Sequence, residues 1–345
     1  MNYAEIRANL RQPLYETPQP CIILTMQNTI YVLENYEFIR ISGADSTSFL
    51  QGQVSCNTEL LSAECSLNGA LCNLKGRVIA DFRLVKIGED IIMQCAAGMA
   101  DKILTTLSKY AVFSKVDLEK LSNNASAAPA ALGVMGDSVD AVLRVLQLAL
   151  PSSSDAAGQG ANCSVIRISG TLKRVEIWFH TPAAKSALLC SPDFSISNQL
   201  EPWSRAEIEA GIIHITPELS EKYTPQLLNY DISGLIDFKK GCYTGQEIVA
   251  RMFYRGTAKK RLFLASSNNE VRENSGVVAR SDDESTEAES LGSEILAFNN
   301  SETPSLLLAI LASESVKSGQ GYRLSDQPGS EVRVQSLPYA ETFTD

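Results

Sequence analysis

Two hydrophobic periods alternate along this chain as far as Arg261, and beyond that residue only the shorter one persists. Val78, Ala80, Phe82 and Leu84 alternate with Arg77, Asp81 and Arg83, the period-two pattern of a half-buried strand. Gly69–Asn73 precedes it across Leu74-Lys75-Gly76, so the pair reads as an antiparallel hairpin. Tyr36–Ser42, Asp90–Cys95 and Val112–Val116 read as further strands. Met99–Tyr110 instead repeats apolar residues at helical spacing, with Ile103, Leu104 and Leu107 on one face, and Asp140–Leu150 does the same. Asp45 and Gly52 bracket a short helix between them. Strands are expected again near Ser164–Ser169 and Lys173–Phe179, with a helix near Ala183–Cys190. This mixture defines an α+β body. After Arg261, short apolar runs at Leu262–Ala265, Ile295–Phe298, Leu306–Leu311 and Val332–Val334 predict a β-rich C-terminal domain, a small barrel. Ser122–Ala131, Pro151–Ala161 and the acidic run Ser281–Ser290 read as linkers or solvated loops.

Composition narrows the function classes. A chain of 345 residues with 44% hydrophobic content supports two or three cored domains. The apolar runs Cys21–Met26 and Leu306–Ala312 are too short to span a bilayer, and no basic-then-apolar leader opens the chain, so the expectation is a cytoplasmic protein without membrane contact. Eight scattered cysteines without a Cys-x-x-Cys pair predict free thiols, and two histidines argue against a histidine-built metal site. Gly158-Gln159-Gly160 lacks the third glycine and the following helix of a dinucleotide fingerprint. There is no phosphate-binding Gly-Lys-Ser/Thr sequence and no Gly-x-Ser-x-Gly elbow. The net charge of −10 opposes broad nucleic-acid binding, yet Lys239–Arg261 holds seven basic residues against Glu247 alone, a local balance of +6. Such a segment suits an anionic ligand or a focused contact, or is simply a solvated basic face.

Inside that segment, Lys239-Lys240-Gly241-Cys242-Tyr243-Thr244-Gly245-Gln246-Glu247 sets one cysteine between two lysines and a predicted helix. Thr244 and Glu247 are spaced as a capping box, which makes Glu247 a cap, and Ile248, Val249 and Met252 continue the helix to Arg255-Gly256. Unpaired N–H groups and lysine charge would lower the Cys242 thiol pKa and favour a thiolate. The alternative is a small apolar residue buried at a loop–helix junction. Ser204 and Glu207 form a second capping-box pattern, opening a helix that ends at Gly211 and has Trp203 at its entrance.

The run Lys240 to Glu247, with Ile208-Glu209-Ala210-Gly211 and Tyr254-Arg255-Gly256, resembles the YgfZ family of folate-binding proteins. So do Ser42–Ser46, Leu50–Val54, Lys75-Gly76-Arg77, Lys109–Val116 and Leu337-Pro338-Tyr339. That family is related to the aminomethyltransferase T-protein of glycine cleavage. The resemblance implies a three-domain ring of ferredoxin-like α+β domains, closed by a C-terminal β-barrel around a folate pocket. Its expected parts are residues 1–122 with 200–256, 131–199 and 257–345. It also implies a tetrahydrofolate-type cofactor and a role in iron–sulfur protein assembly or repair, through which tRNA modification is supported. The family tryptophan before Ile-Glu-Ala-Gly falls on Trp203, whereas the other folate-contacting tryptophan falls on Tyr36. The resemblance does not place the catalytic aspartate of the T-protein's N-terminal domain on this sequence.

Residue chemistry gives the ligand its own argument. A pterin needs a flat apolar slot, a carboxylate for its N–H edge and a cation for its glutamate tail. Trp203 and Tyr36 are the candidates for the slot, Glu209 for the edge and Arg251 for the tail, with Lys240 and Tyr243 nearby and Cys242 as the reactive group on the pocket wall. The favoured function is a folate-binding accessory factor whose partners are iron–sulfur enzymes, including those that modify tRNA. The alternatives are a folate-dependent one-carbon transferase and a noncatalytic scaffold in direct contact with tRNA or a protein.

Overall fold

The computed structural model describes residues 28–121, 131–256, 258–280 and 293–339. The first strand, β1 (Asn28–Val32), precedes β2 (Tyr36–Ser42), α1 (Ser46–Gln51), β3 (Leu67–Cys72), β4 (Val78–Ile87), β5 (Asp90–Ala96), α2 (Ala100–Ala111) and β6 (Asp117–Leu121). Strands β2 to β6 form one antiparallel sheet in the order β3-β4-β5-β2-β6. Helix α2 covers one face of it through Ile103 and Leu107, which join Ile39, Ile41, Leu84 and Met93 in a core. The expected hairpin is present, but it is not half-buried. Asp81 and Arg83 alternate away from that core and are themselves buried, because the opposite face of β4 is covered by the rest of the molecule.

The second sheet comes from β7 (Ala131–Met135), β8 (Ala157–Gln159), β9 (Cys163–Arg167), β10 (Arg174–Phe179) and β11 (Phe194–Ser197), with α3 (Ser138–Leu146) and α4 (Pro182–Leu189) between them. Its order is β11-β1-β7-β10-β9-β8, so the opening strand of the chain belongs here and not with the residues that follow it. β1 runs parallel to β11 and antiparallel to β7. A seam core of Tyr36, Phe38, Val85 and Ile92 from the first sheet and Ile166, Ile168 and Trp178 from the second locks the two sheets together. Phe38 meets Trp178 edge-on at 5.2 Å between ring centroids.

Two helices, α5 (Glu201–Glu209) and α6 (Gln246–Arg255), lead into the C-terminal strands. These are β12 (Lys260–Ser267), β13 (Gly276–Ala279), β14 (Ser293–Asn299), β15 (Ser305–Ala312), β16 (Tyr322–Leu324) and β17 (Gln327–Gln335), with α7 (Ser313–Lys317) after β15. They close as a barrel in the order β12-β15-β14-β13-β16-β17. Leu262, Leu264, Leu308 and Ile310 project outward from it and pack with Ala70, Cys72 and Val78 of the first sheet. The barrel is therefore fused to the body through apolar contact, and its interior is a separate core around Leu307, Ala309 and Leu311.

Two local readings need correction. Val112–Val116 is a turn that leaves Phe113 fully exposed, and pairing begins only at Asp117, opposite Ser42. The cause is Asp45, whose carboxylate accepts from the Lys115 N–H at 2.7 Å instead of capping α1. Most of Ser122–Ala131 and all of Ser281–Ser290 lie outside the described residues. Among the described residues no helix is long and apolar enough to cross a membrane.

Candidate functional site

The two sheets, the loop after α5 and the tail beyond the barrel enclose a central cavity of about 390 Å³. Its wall is polar because both sheets and the segment around the end of α5 turn charged side chains toward it. β4 supplies Asp81 and Arg83, β5 supplies Gln94, β10 supplies Glu176, and the end of α5 with the following loop supplies Glu207 and His214. Tyr36 from β2 and Tyr339 from the tail add aromatic surface. Tyr339 donates to the Gly211 carbonyl at 3.2 Å and so fastens the tail over the cavity. Gly211 has φ +68°, and a Cβ there would lie 2.5 Å from Leu337 and 2.7 Å from the Tyr339 oxygen, so only glycine permits this approach.

Glu207 organises one end. Its Oε1 accepts from Tyr36 Oη at 2.6 Å and Trp203 Nε1 at 3.0 Å, and lies 3.3 Å from His214 Nε2. His214 Nδ1 meets Asp81 Oδ2 at 2.9 Å, while Asp81 Oδ1 accepts from the Ile215 N–H at 2.6 Å. Burial opposes charge on His214, but the Asp81 and Glu207 carboxylates outweigh it and hold the imidazole pKa well above its ordinary value. Burial likewise acts to raise the Glu207 pKa, yet His214, Arg174 and Tyr36 bring it below the usual carboxylate value. The Tyr36 hydroxyl is pushed well up, first by burial and then by the Glu207 and Glu176 charges. The two carboxylates thus favour the charged form of the imidazole between them, and burial together with the same charges favours the neutral, donating form of Tyr36.

Glu176 organises the other end. Its Oε2 accepts from Gln94 Nε2 and Trp178 Nε1, both at 2.8 Å. Glu176 Oε1 and Glu207 Oε2 take no hydrogen bond from a described residue. Each tryptophan thus steadies one cavity carboxylate by one oxygen and leaves the second available. Arg83 lies between the modules, donating to Ser66 Oγ at 2.9 Å and Asp155 Oδ1 at 2.7 Å.

Of the seven residues singled out from the sequence, Tyr36 alone lines this cavity. Trp203 is fully buried behind the wall, with Arg174 over its ring at 5.3 Å. It holds Glu207 and forms no open slot. Glu209 faces away from the cavity and pairs with Arg205 at 3.5 Å, so the carboxylate at the wall is Glu207, one helical turn after Trp203. The Ser204–Glu207 capping box does not form, because α5 already begins at Glu201. Arg251 is exposed on α6.

The motif itself lies elsewhere. Lys240 is buried, donates to the Gln51 and Val54 carbonyls at 2.7 and 2.5 Å, and lies 5.0 Å over the Tyr243 ring. Burial lowers its pKa. Its charge acts on the buried Cys56, where desolvation nonetheless pushes the thiol up to about 12. Tyr243 is buried with its hydroxyl unpartnered, and burial raises its pKa. α6 is capped by Gly245 at φ +83°, and the Thr244 hydroxyl donates to Gln53 Oε1 at 3.1 Å, so Glu247 is an exposed residue of the first turn and no box forms. Cys242 is exposed and is not part of the cavity wall, which removes it from the position expected beside the ligand.

Sequence reasoning missed Asp81, Arg83, Glu176, Glu207 and His214. One signal was available for Glu207: Trp203 and Glu207 stand four residues apart, on one helix face. For Asp81 and Arg83 there was none, since a strand face toward a polar cavity reads like a strand face toward water.

The architecture defines a protein of the T-protein fold with a charged central cavity. The aminomethyltransferase T of the glycine cleavage system from Bartonella henselae superposes with a TM-score of 0.70 at 15% identity, covering 91% of this chain and 87% of that one. No family model matches the sequence. The tRNA-modifying protein YgfZ of Yersinia enterocolitica is 31% identical over 331 residues, 91% of this chain and 93% of its own length. Its Yersinia pestis counterpart is 31% identical over 258 residues, 74% of this chain and 77% of its own length. The chain belongs to the YgfZ family.

Proposed function

We propose that the central cavity binds tetrahydrofolate or a derivative, and that the protein serves as an accessory factor for iron–sulfur enzymes, including those that modify tRNA. The observation that carries the ligand is the pair of cavity carboxylates, Glu207 and Glu176, each braced at one oxygen by an indole N–H. A pterin edge presents adjacent N–H donors, for which an ionised carboxylate is the matching acceptor. The cavity volume of about 390 Å³ lies within the range of small-molecule sites. Tyr36, Ile213 and Tyr339 offer surface to a flat ring, and Arg83 is a cation for an anionic tail. The tRNA part of the reading rests on the relatives' names, tRNA-modifying proteins. Cys242, exposed on the motif loop, is then placed to meet a partner protein and not the folate.

Tetrahydrofolate titration followed by tryptophan fluorescence tests the ligand, because Trp203 and Trp178 each donate to a cavity carboxylate. Saturable quenching is expected, and Glu207→Gln should weaken it by about 10- to 100-fold, the loss of one charge-assisted hydrogen bond. A titration without quenching removes folate from the reading. In a deletion strain, Cys242→Ser should leave iron–sulfur enzyme activity and tRNA thiolation depressed, whereas full rescue removes the thiol's role.

A further inference from the structure

An aromatic cluster on α6 serves neither the cavity nor the thiol. Phe238, in the loop before the motif, and Phe253 lie nearly parallel, with centroids 3.9 Å and planes 17° apart. Tyr254 meets both edge-on, 5.1 Å from Phe253 and 6.1 Å from Phe238. The cluster is on the surface, with Phe253 41% and Tyr254 68% exposed. Stacking fixes the rings in place while one side of the group remains in water.

The charge around the cluster is mostly positive, with half-buried Asp237 and exposed Glu247 as its nearby carboxylates in sequence. Lys239 adjoins Phe238 in sequence, Arg251 stands one helical turn before Tyr254 on α6 and Arg255 directly follows it, and Lys259 lies beyond the helix end. All four are exposed, and none forms an ion pair with a described residue. Glu247 is the exposed carboxylate of this stretch. The other cations of the basic segment are occupied differently: Lys240 is buried against carbonyls, and Arg261 pairs with Asp231 at 2.8 Å. The sequence shows a basic run with no evident aromatic platform, and folding supplies one by bringing Phe238 onto Phe253.

Exposed aromatic faces on a segment whose exposed cations form no ion pair with a described residue match the two repeating chemistries of a single-stranded nucleic acid, stackable bases and phosphates. A paired helix hides its base faces, so the match is to an unpaired loop or end. We infer that this face binds single-stranded RNA, with bases stacked on Tyr254 and the open side of Phe253, and with phosphates held by Lys239, Arg251, Arg255 and Lys259. On a protein of net charge −10, such binding is confined to this patch and is salt-sensitive. The inference does not depend on folate in the cavity.

Fluorescence anisotropy of the full-length protein with a labelled RNA hairpin carrying an unpaired loop, against a fully paired duplex of equal length, tests it. The loop should bind more tightly, and the slope of log affinity against log salt should be about −3 for four phosphate contacts to a single strand. Tyr254→Ala should weaken loop binding at least about fivefold, the lower range for losing one stacked base. Melting temperature and tetrahydrofolate response should not change, since the ring is exposed. The double change Arg251→Glu with Arg255→Glu should abolish binding. Equal affinity for loop and duplex, or loop binding indifferent to Tyr254→Ala, overturns the inference. If the variants bind RNA normally but fail to support iron–sulfur enzyme activity in cells, the face belongs to a protein partner and the RNA assignment fails.

Discussion

His214 holds its proton more tightly than a free imidazole because two carboxylates outweigh the desolvation that opposes charge, and this ties stability to pH in a defined direction. A proton bound more tightly in the fold than in the unfolded chain stabilises fully below about pH 6.5, the free histidine value, and that stabilisation is lost as pH rises through the folded value. Glu207 works the other way, stabilising above about pH 4.3 and losing its contribution as pH falls through its lowered value. The cluster therefore supports the fold best between those two limits. In thermal melts from pH 6 to 9, His214→Asn should lose less stability with rising pH than the parent protein. Asp81→Asn should bring the His214 titration, followed by NMR, down toward its ordinary value. Parallel pH profiles for parent and His214→Asn would mean that the imidazole is not charged in the fold. None of this was visible in the chain, where two isolated histidines read only as too few for a metal site.

Among the elements, those with a long apolar stripe were legible and those set by one local hydrogen bond were not. α2, α3 and the hairpin of β3 and β4 follow from periodicity, because each buries a face that its own sequence marks. The Val112–Val116 segment has the composition of a strand, but Asp45 holds its backbone and no partner strand lies opposite. Helix α6 starts from a cap at Gly245 and not from the Thr244–Glu247 box that its sequence predicts. At Gly245 the backbone is left-handed, and a Cβ would stand 2.4 Å from the Asn73 carbonyl oxygen, so the helix start is set by close approach to the β3–β4 turn. Gly245→Ala should therefore cost at least about 2 kcal/mol in chemical denaturation, combining left-handed strain with a backbone clash. Gly241→Ala, where an added Cβ meets nothing within 4 Å, should be nearly neutral. Equal effects at the two positions would show that the turn adapts without cost.

For the whole molecule, a seam joins the two sheets and makes the cavity. Asp155, in the loop before β8, accepts from Arg83 at 2.7 Å and Asn68 at 2.9 Å, and its carbonyl accepts from the Ser66 N–H at 2.9 Å. Gln94 reaches Glu176 across the same seam. Asp155→Ala leaves the buried Arg83 without its counter-ion and should lower the unfolding free energy by about 2–3 kcal/mol, less than for a fully buried pair because Asp155 is partly solvated. A loss below about 0.5 kcal/mol in denaturant melts would assign the seam's strength to the apolar Phe38–Trp178 contact instead. By itself the chain determined its α+β class, its terminal barrel, most helices and strands, and its YgfZ family, because periodicity and motif are local properties of sequence. Only the tertiary structure decided that β1 joins the second sheet, that Glu207 and not Glu209 faces the cavity, and that Cys242 stands outside it. Each of those depends on which surface meets which across modules far apart in sequence, and a charged side chain facing water is written the same way as one facing an enclosed ligand space.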